Sequence, residues 1–377
     1  MIAASRPVQR PRDAKLLVVL ADGRISHAPR SRLVEYLWPG DLVIANDAAT
    51  LPASLHGVHA PSGAAIEVRL AGRRPSAASG TAFVAIVFGA GDFRTRTEDR
   101  PAPPALAPGD RLALGPLAAT VEALLDHPRL VSLRFDAEGS SVWAGIARHG
   151  RPIQYAHLAG ALALWDVWTP IASVPVAFEP PSAGFALDWA AIRAMRARGV
   201  ELAALTHAAG VSSTGDEDLD RRLPFDEAYE IPDSTASAIR RARSRGGRIV
   251  AVGTTVVRAL EHAARRTGVV VAGQGVANQR LGPFSRLRAV DTLLSGTHEP
   301  GSSHYQLLRA FVDDATLAGV SAALDAAGYR THEFGDSMLI EKDGRRVRCP
   351  RGRTARRSGY WLSNRPSTLP SVSAMRA

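Results

Sequence analysis

The chain has 377 residues, 46% of them hydrophobic, which exceeds the usual size of one core and makes two domains the starting expectation. Its single cysteine, Cys349, excludes an internal disulfide framework and a thiolate zinc cluster. No stretch approaches the roughly 20 apolar residues of a membrane span, and the opening MIAASRPVQRPR lacks the apolar centre of a signal peptide, so a soluble, cytoplasmic protein with no membrane contact is expected.

The net charge of +10 sits mostly at one end. Residues 341–377 hold ten Lys or Arg against two acids, which leaves about +2 for the 340 residues before them. This basic tail, with Tyr360 and Trp361, reads either as an RNA contact or as a solvated, disordered extension.

In chain order, KLLVVL, the turn Ala21-Asp22-Gly23-Arg24 and ISHAP read as a hairpin. A short helix opened by Ser31 follows, and DLVIAND is a third strand after Pro39-Gly40. From residue 53 to 150 the pattern changes to short β-rich runs, IEVRL, TAFVAIVF, RLALG, ATVEAL and LVSLRF, with no long helix, which predicts a small antiparallel barrel or sandwich. The remainder alternates. LDWAAIRAMRARG is a helix with Asp188 as N-cap and Gly199 at its end, VELAAL a strand, and residues 208–232 a long loop. DSTASAIRRARSRG, RIVAV, TTVVRALEHAARR and VVVAG read as helix, strand, helix and strand. RLRAVDTLLS, SSHYQLLRAFV and THEFGDSMLI then give strand, helix and strand. The fold class is therefore α/β, with a parallel or mixed sheet covered on both faces and the β-rich block inserted into it. The expected divisions are 1–52 and 151–340 for the α/β domain, 53–150 for the insertion, and 341–377 for the tail.

In an open α/β sheet, ligands bind beyond the carboxyl ends of the strands. Gly253-Thr254-Thr255 follows RIVAV, where a helix start offers free N–H donors and two hydroxyls to an anion or ribose, although a plain Thr N-cap explains the same residues. It is neither GxGxxG nor a lysine-bearing P-loop, which weighs against a nicotinamide oxidoreductase. Arg258 and Glu261, three apart, read as a surface pair. His207 and His298 each end a strand and are candidate acids or bases. Asp336 interrupts the last strand as a turn residue or as a carboxylate at the site's edge. His298, Glu299 and His304 lack metal-ligand spacing, so no metal is assigned. There is no GxSxG elbow and no SxxK pair.

Four stretches, PGDLVIANDAATLPASLHG, GGRIVAVGTTVVRALE, RAVDTLLSGTHEPGSSHYQLLRAF and FGDSMLI, resemble in content and order the S-adenosylmethionine:tRNA ribosyltransferase-isomerase family of queuosine biosynthesis. The resemblance covers about residues 12–340. It implies an α/β domain with an inserted six-stranded antiparallel barrel. It also implies a reaction in which the ribosyl part of S-adenosylmethionine, a co-substrate, moves onto 7-aminomethyl-7-deazaguanine in tRNA and isomerises, releasing adenine and methionine. On that basis His298, His207 and Asp336 are the catalytic candidates. Gly253, Thr254, Thr255, Arg258, Ser182 and Gly184 are the candidates for binding S-adenosylmethionine. The expected partner is tRNA and the expected state a monomer.

The chain departs from the family's pattern in several places. Ala48, Ala49 and Ser54 stand where the family has a Thr-Arg pair and a second Arg, and Ala186 stands for a His. The loop THAAGVSS keeps His207 but loses two glycines and a Thr-Phe pair, and Gly296-Thr297 replaces Asn-Phe. Two other readings stay open here: a diverged relative binding S-adenosylmethionine or a nucleoside with another acceptor, and a non-catalytic RNA-binding protein.

Overall fold

The computed structural model describes residues 1–74 and 81–344; the basic tail, with Cys349, Tyr360, Trp361 and the RNA-contact reading, falls outside the described residues from 345 onward. No helix among the described residues is long and apolar enough to cross a membrane.

A nine-stranded mixed sheet runs in the order Gly273–Ala277, Glu227–Ile231, Glu201–His207, Leu42–Asn46, Ile249–Val252, Thr292–Gly296, Ser337–Glu341, Lys15–Val19, Ile25–Pro29. Leu42–Asn46 lies parallel to both Glu201–His207 and Ile249–Val252, and the latter is parallel to Thr292–Gly296, so these carboxyl ends open at one edge. Both faces are covered. Leu42, Ile44, Ile249 and Ala251 pack into one core with the helices Asp233–Ser244, Thr254–Ala264 and Asp314–Ala326. The alternate residues Val43, Ala45, Val250 and Val252 pack into a second core with the helix Trp189–Ala197. That alternation is the pleat of a strand buried on both sides, and it is why these runs read as unbroken apolar sequence.

The insertion is a closed six-stranded barrel built from Ser54–His59, Ala64–Arg73, Ala82–Phe88, Arg111–Leu114, Leu117–His127 and Leu130–Phe135. Reciprocal backbone bonds between Ser54 and Arg151, each 2.9 Å, tie the chain entering the barrel to the chain leaving it. Inside, Glu67 is bonded by Ser54 Oγ at 2.7 Å, by Arg69 Nε at 2.8 Å and by Arg100. Burial alone would raise the Glu67 carboxyl, but the charge and hydrogen bonds of Arg69, with those of Arg100, hold it at about 2. Gly57 has no room for a side chain: a Cβ there would stand 2.0 Å from the Ala113 carbonyl oxygen of the neighbouring strand. Gly57→Ala is therefore expected to cost about 1–3 kcal/mol, read as a lowered unfolding midpoint in urea; an unchanged midpoint would mean that the strands separate freely there.

Several expectations need correction. The barrel's first strand, Ser54–His59, escaped the reading because His56 and Gly57 interrupt its apolar pattern. The block read as strands alone ends in the helix Gly139–His149, whose Val142 and Ile146 cover the barrel core. The loop 208–232 contains a helical turn, Glu217–Asp220, and the strand Glu227–Ile231, whose alternate residues are buried. VVVAG is not a strand: Val269 and Val271 are exposed, and pairing begins at Gly273. The helix expected over SSHYQLLRAFV is only Ser303–Leu308, and a further helix, Asp314–Ala326, follows with Asp313 capping the Thr316 N–H at 2.8 Å. The 3-10 helix Arg30–Tyr36 starts straight from Pro29, without a Ser31 cap.

Candidate active site

A cavity of about 590 Å³ opens at the carboxyl edge of the parallel strands. Its lining includes Gly253, Thr254 and Thr255, Ser182 and Glu179, His298 and His304, and Arg96, Thr97 and Glu98 from the barrel insertion. Gly253 is the residue before the helix Thr254–Ala264 and has φ +94°, a conformation that favours glycine. Its glycine N-cap has no side chain to cap the helix, Thr254 and Thr255 both line the cavity, and the Thr255 hydroxyl accepts from Asn46 Nδ2 at 3.4 Å while keeping its own proton to donate.

Of the residues singled out in the sequence, Gly253, Thr254, Thr255, Ser182, Arg258 and His298 line this cavity. Arg258 does not offer its charge to a ligand. Its Nη1 is paired with Glu227, and its Nη2 donates to the carbonyls of Ala277 at 2.6 Å and Phe225 at 3.1 Å. Nor does it pair with Glu261, which is buried and accepts from the backbone N–H groups of Arg288, Ala289 and Val290 at 2.7–3.0 Å.

His207 is fully buried behind the Thr255 backbone, outside the cavity lining. Its Nδ1 donates to the Thr255 carbonyl at 2.7 Å and its Nε2 lies 3.2 Å from Glu227 Oε2. Asn46 brackets its backbone, accepting from its N–H and donating to its carbonyl, each at 2.9 Å. Burial would raise Glu227, yet the hydrogen bond and charge of His207 and the charge of Arg258 bring it down to about 2. Asp336 is buried too, and both its oxygens serve the fold: Oδ1 accepts from the Lys15 N–H and Oδ2 from the Arg330 N–H, both at 2.8 Å. Gly184 lies away from the cavity, against Thr169. These three candidates therefore support the site's frame rather than its lining.

His298 remains, with its Nε2 bonded to Ser295 Oγ at 2.7 Å and its ring stacked on His304 at 4.9 Å between centroids. Burial, and then the neighbouring charges of His304 and His332, push its pKa well below the ordinary histidine value. His304 is lowered as well, first by burial.

The cavity also gathers His304, from the same stretch as His298, and residues that no motif announced: Tyr155, His157, Glu179, His332 and Glu333. Lone histidines carry no spacing signal, and Glu179 could have been noticed only as an acid in the apolar run AFEPP. His157 Nε2 bonds Glu333 at 3.1 Å, and that bond with its charge keeps Glu333 low against burial. His157, His332 and Glu333 bring three ligand-type atoms within 4.8 Å of one another, the one such group among the described residues. The two rings, however, stack face to face at 4.1 Å and 14°, so their in-plane lone pairs run side by side rather than converging on one ion.

The places where the chain departs from the family's pattern are filled differently. Ala48 and Ala49 are buried in a strand paired with Val174–Ala177, and Ala186 is buried in the core. Ser54, in place of an Arg, bonds the Glu67 cluster inside the barrel.

Comparison with known proteins bears on this geometry. The family model described as "Queuosine biosynthesis protein" matches residues 1–340. An S-adenosylmethionine:tRNA ribosyltransferase-isomerase of Sorangium cellulosum is 37% identical over 362 residues, covering 90% of this chain and 95% of the relative. One from Methylobacterium sp. is 33% identical over 356 residues, covering 91% and 96%. A crystal structure of S-adenosylmethionine tRNA ribosyltransferase from Thermotoga maritima aligns with a TM-score of 0.47 at 25% identity, over 90% of this chain and 96% of that one. The chain belongs to the queuosine biosynthesis protein family, whose curated relatives carry the name S-adenosylmethionine:tRNA ribosyltransferase-isomerase.

Proposed function

We propose that this protein is a ribosyltransferase-isomerase that moves the ribosyl part of S-adenosylmethionine onto the aminomethyl group of a 7-deazaguanine in tRNA and isomerises it to the epoxide of epoxyqueuosine. The observation that carries the reading is a neutral, enclosed imidazole, His298, in the same cavity as the uncapped helix start at Gly253-Thr254-Thr255.

The sulfonium of S-adenosylmethionine acidifies the adjacent ribose carbon, so a base within hydrogen-bond reach removes that proton. His298 suits the role because its depressed pKa keeps it unprotonated at neutral pH. With Nε2 held by Ser295, Nδ1 is the nitrogen left for the substrate. The Thr254 and Thr255 hydroxyls and first-turn N–H groups fit the methionine carboxylate or ribose hydroxyls, and Ser182 adds a hydroxyl to the same lining. With Arg258 engaged by Glu227, the carboxylate is held by the helix start rather than by a guanidinium.

The test is adenine release from S-adenosylmethionine with and without tRNA carrying the 7-aminomethyl-7-deazaguanine base. Release that requires this tRNA is expected. Folded protein that binds S-adenosylmethionine yet never releases adenine with that tRNA would remove the reading.

A further inference from the structure

Adenine departs with an electron pair and needs a proton, but three of the cavity's histidines, His298, His304 and His332, are held below the ordinary histidine pKa, first by burial, and the fourth, His157, is bonded to Glu333. At neutral pH that makes His298 and His304 proton acceptors. A carboxylic acid faces the same cavity. Glu179 is 8% exposed, and its Oε1 accepts from the Ser212 N–H at 3.1 Å and from the Tyr155 hydroxyl.

We infer that Glu179 is the proton donor to the departing adenine, with Tyr155 as the residue that positions it; the inference rests on the ribosyl-transfer reading above.

The support is rigid. Phe178 anchors the segment, its N–H bonded to the Ala209 carbonyl at 2.8 Å and its ring packed edge-on against Phe83 of the barrel. Pro180 and Pro181 follow and restrict the backbone. The Tyr155 hydroxyl is itself held by the Ser213 N–H at 3.2 Å and the Ser212 hydroxyl at 3.4 Å, with the Ser213 carbonyl at 3.2 Å, and its ring lies parallel to His157, which stacks on His332. Since Oε1 takes both hydrogen bonds, Oε2 is the oxygen left to carry a proton towards a ligand.

The charged and titratable groups around Glu179 are Tyr155, which bonds it, Glu333, Arg69 over the Tyr155 ring, and His157, Arg96 and Glu98 in the same cavity lining. Burial is the main influence on the carboxyl and outweighs the hydrogen bonds from Tyr155 and Ser212, with Glu333 adding a like charge; together they raise its pKa to about 7. Burial, and then the neighbouring Glu179, keep the Tyr155 phenol well above its usual pKa, so it remains a donor.

In the step, the bond between the anomeric carbon and the adenine nitrogen breaks with its electron pair on adenine. A lone pair of the ribose ring oxygen forms the new π bond to that carbon. The Glu179 proton passes to the purine, leaving a carboxylate. His298 gains the proton taken from the ribose carbon next to sulfur, so one proton is taken up and one given, and exchange with solvent resets both groups.

The experiment has two arms. In the first, adenine itself is titrated into the wild-type protein calorimetrically between about pH 5.5 and 8.5. Affinity is expected to be steady below 7 and to fall about tenfold per pH unit above it, as the donor is lost, while Glu179→Gln, whose amide still donates, binds with no such fall. In the second, Glu179→Gln is expected to lower adenine release about 100- to 10,000-fold, to leave S-adenosylmethionine affinity within about threefold, and to remove the alkaline limb of the rate profile near 7. Adenine binding that is absent or flat with pH in the wild type overturns the proposal. So does a Glu179→Gln variant that retains both the rate and the alkaline limb. Because the first arm needs no tRNA, it decides the role of Glu179 even if wild-type turnover fails and the ribosyl-transfer reading falls.

Discussion

His298→Ala is expected to lower adenine release by about 2 to 4 decades while leaving S-adenosylmethionine affinity within about threefold. The imidazole lines the cavity beside the uncapped helix start, and one nitrogen is held by Ser295 at 2.7 Å, which fixes the ring for its other nitrogen to act. A base of this kind contributes to the transition state rather than to binding, so the loss should fall on turnover. The pH profile supplies a second check. Burial, then the charges of His304 and His332, hold His298 well below the ordinary histidine value of 6.5, so its free base prevails at neutral pH and the acid limb of turnover should lie below the ordinary histidine range. A variant that turns over normally, or a profile whose acid limb sits above 7, would remove His298 from the reaction.

Arg258→Ala is expected to destabilise the fold by about 3–5 kcal/mol, measured by urea or thermal unfolding. The guanidinium is buried, and it neutralises Glu227 while donating to two backbone carbonyls, so its removal strands a buried carboxylate beside His207 and leaves both carbonyls short of a donor. The linkage sign follows from the depressed pKa of Glu227. Its carboxyl falls from 4.5 to about 2 on folding, so the native state releases the proton more readily than the unfolded chain. The associated stabilisation, on the order of 3 kcal/mol, is complete above pH 4.5 and is lost as pH falls through about 2. In Arg258→Ala the acid unfolding transition should move to higher pH. A loss below about 1 kcal/mol with an unmoved acid transition would mean that His207 alone satisfies Glu227. Pairing the change with Glu227→Gln separates the two: removing the stranded charge should restore part of the stability.

These two residues mark how much of the site was legible in the sequence. The rule that ligands gather beyond the carboxyl ends of parallel strands points to His298 and the Gly253-Thr254-Thr255 junction, since both follow apolar runs, and the structure places all four residues in one cavity lining. Arg258 was found for the wrong partner. Its helical spacing to Glu261 suggested a surface pair, but helix position does not say which face is buried, and the fold sends Arg258 to Glu227 and Glu261 to a row of backbone N–H groups. His207 and Asp336 carried the right chemistry at strand ends, and the structure spends them on the frame: one beneath the Thr255 backbone, the other joining Lys15 to Arg330.

By itself, the sequence determined the α/β alternation, the barrel-like insertion and the family, because two-fold and 3.6-fold apolar periods, turn residues and contiguous motifs are local properties of a chain. Only the tertiary structure decided that Tyr155, Glu179, His332 and Glu333 share one cavity with His298, since they come from other segments of the chain and none has a local pattern that distinguishes it from an ordinary polar residue. It also decided which way each group's proton affinity moves. Burial and the nearest charge set that direction, and both are properties of packing: the same enclosure that lowers His298 raises Glu179.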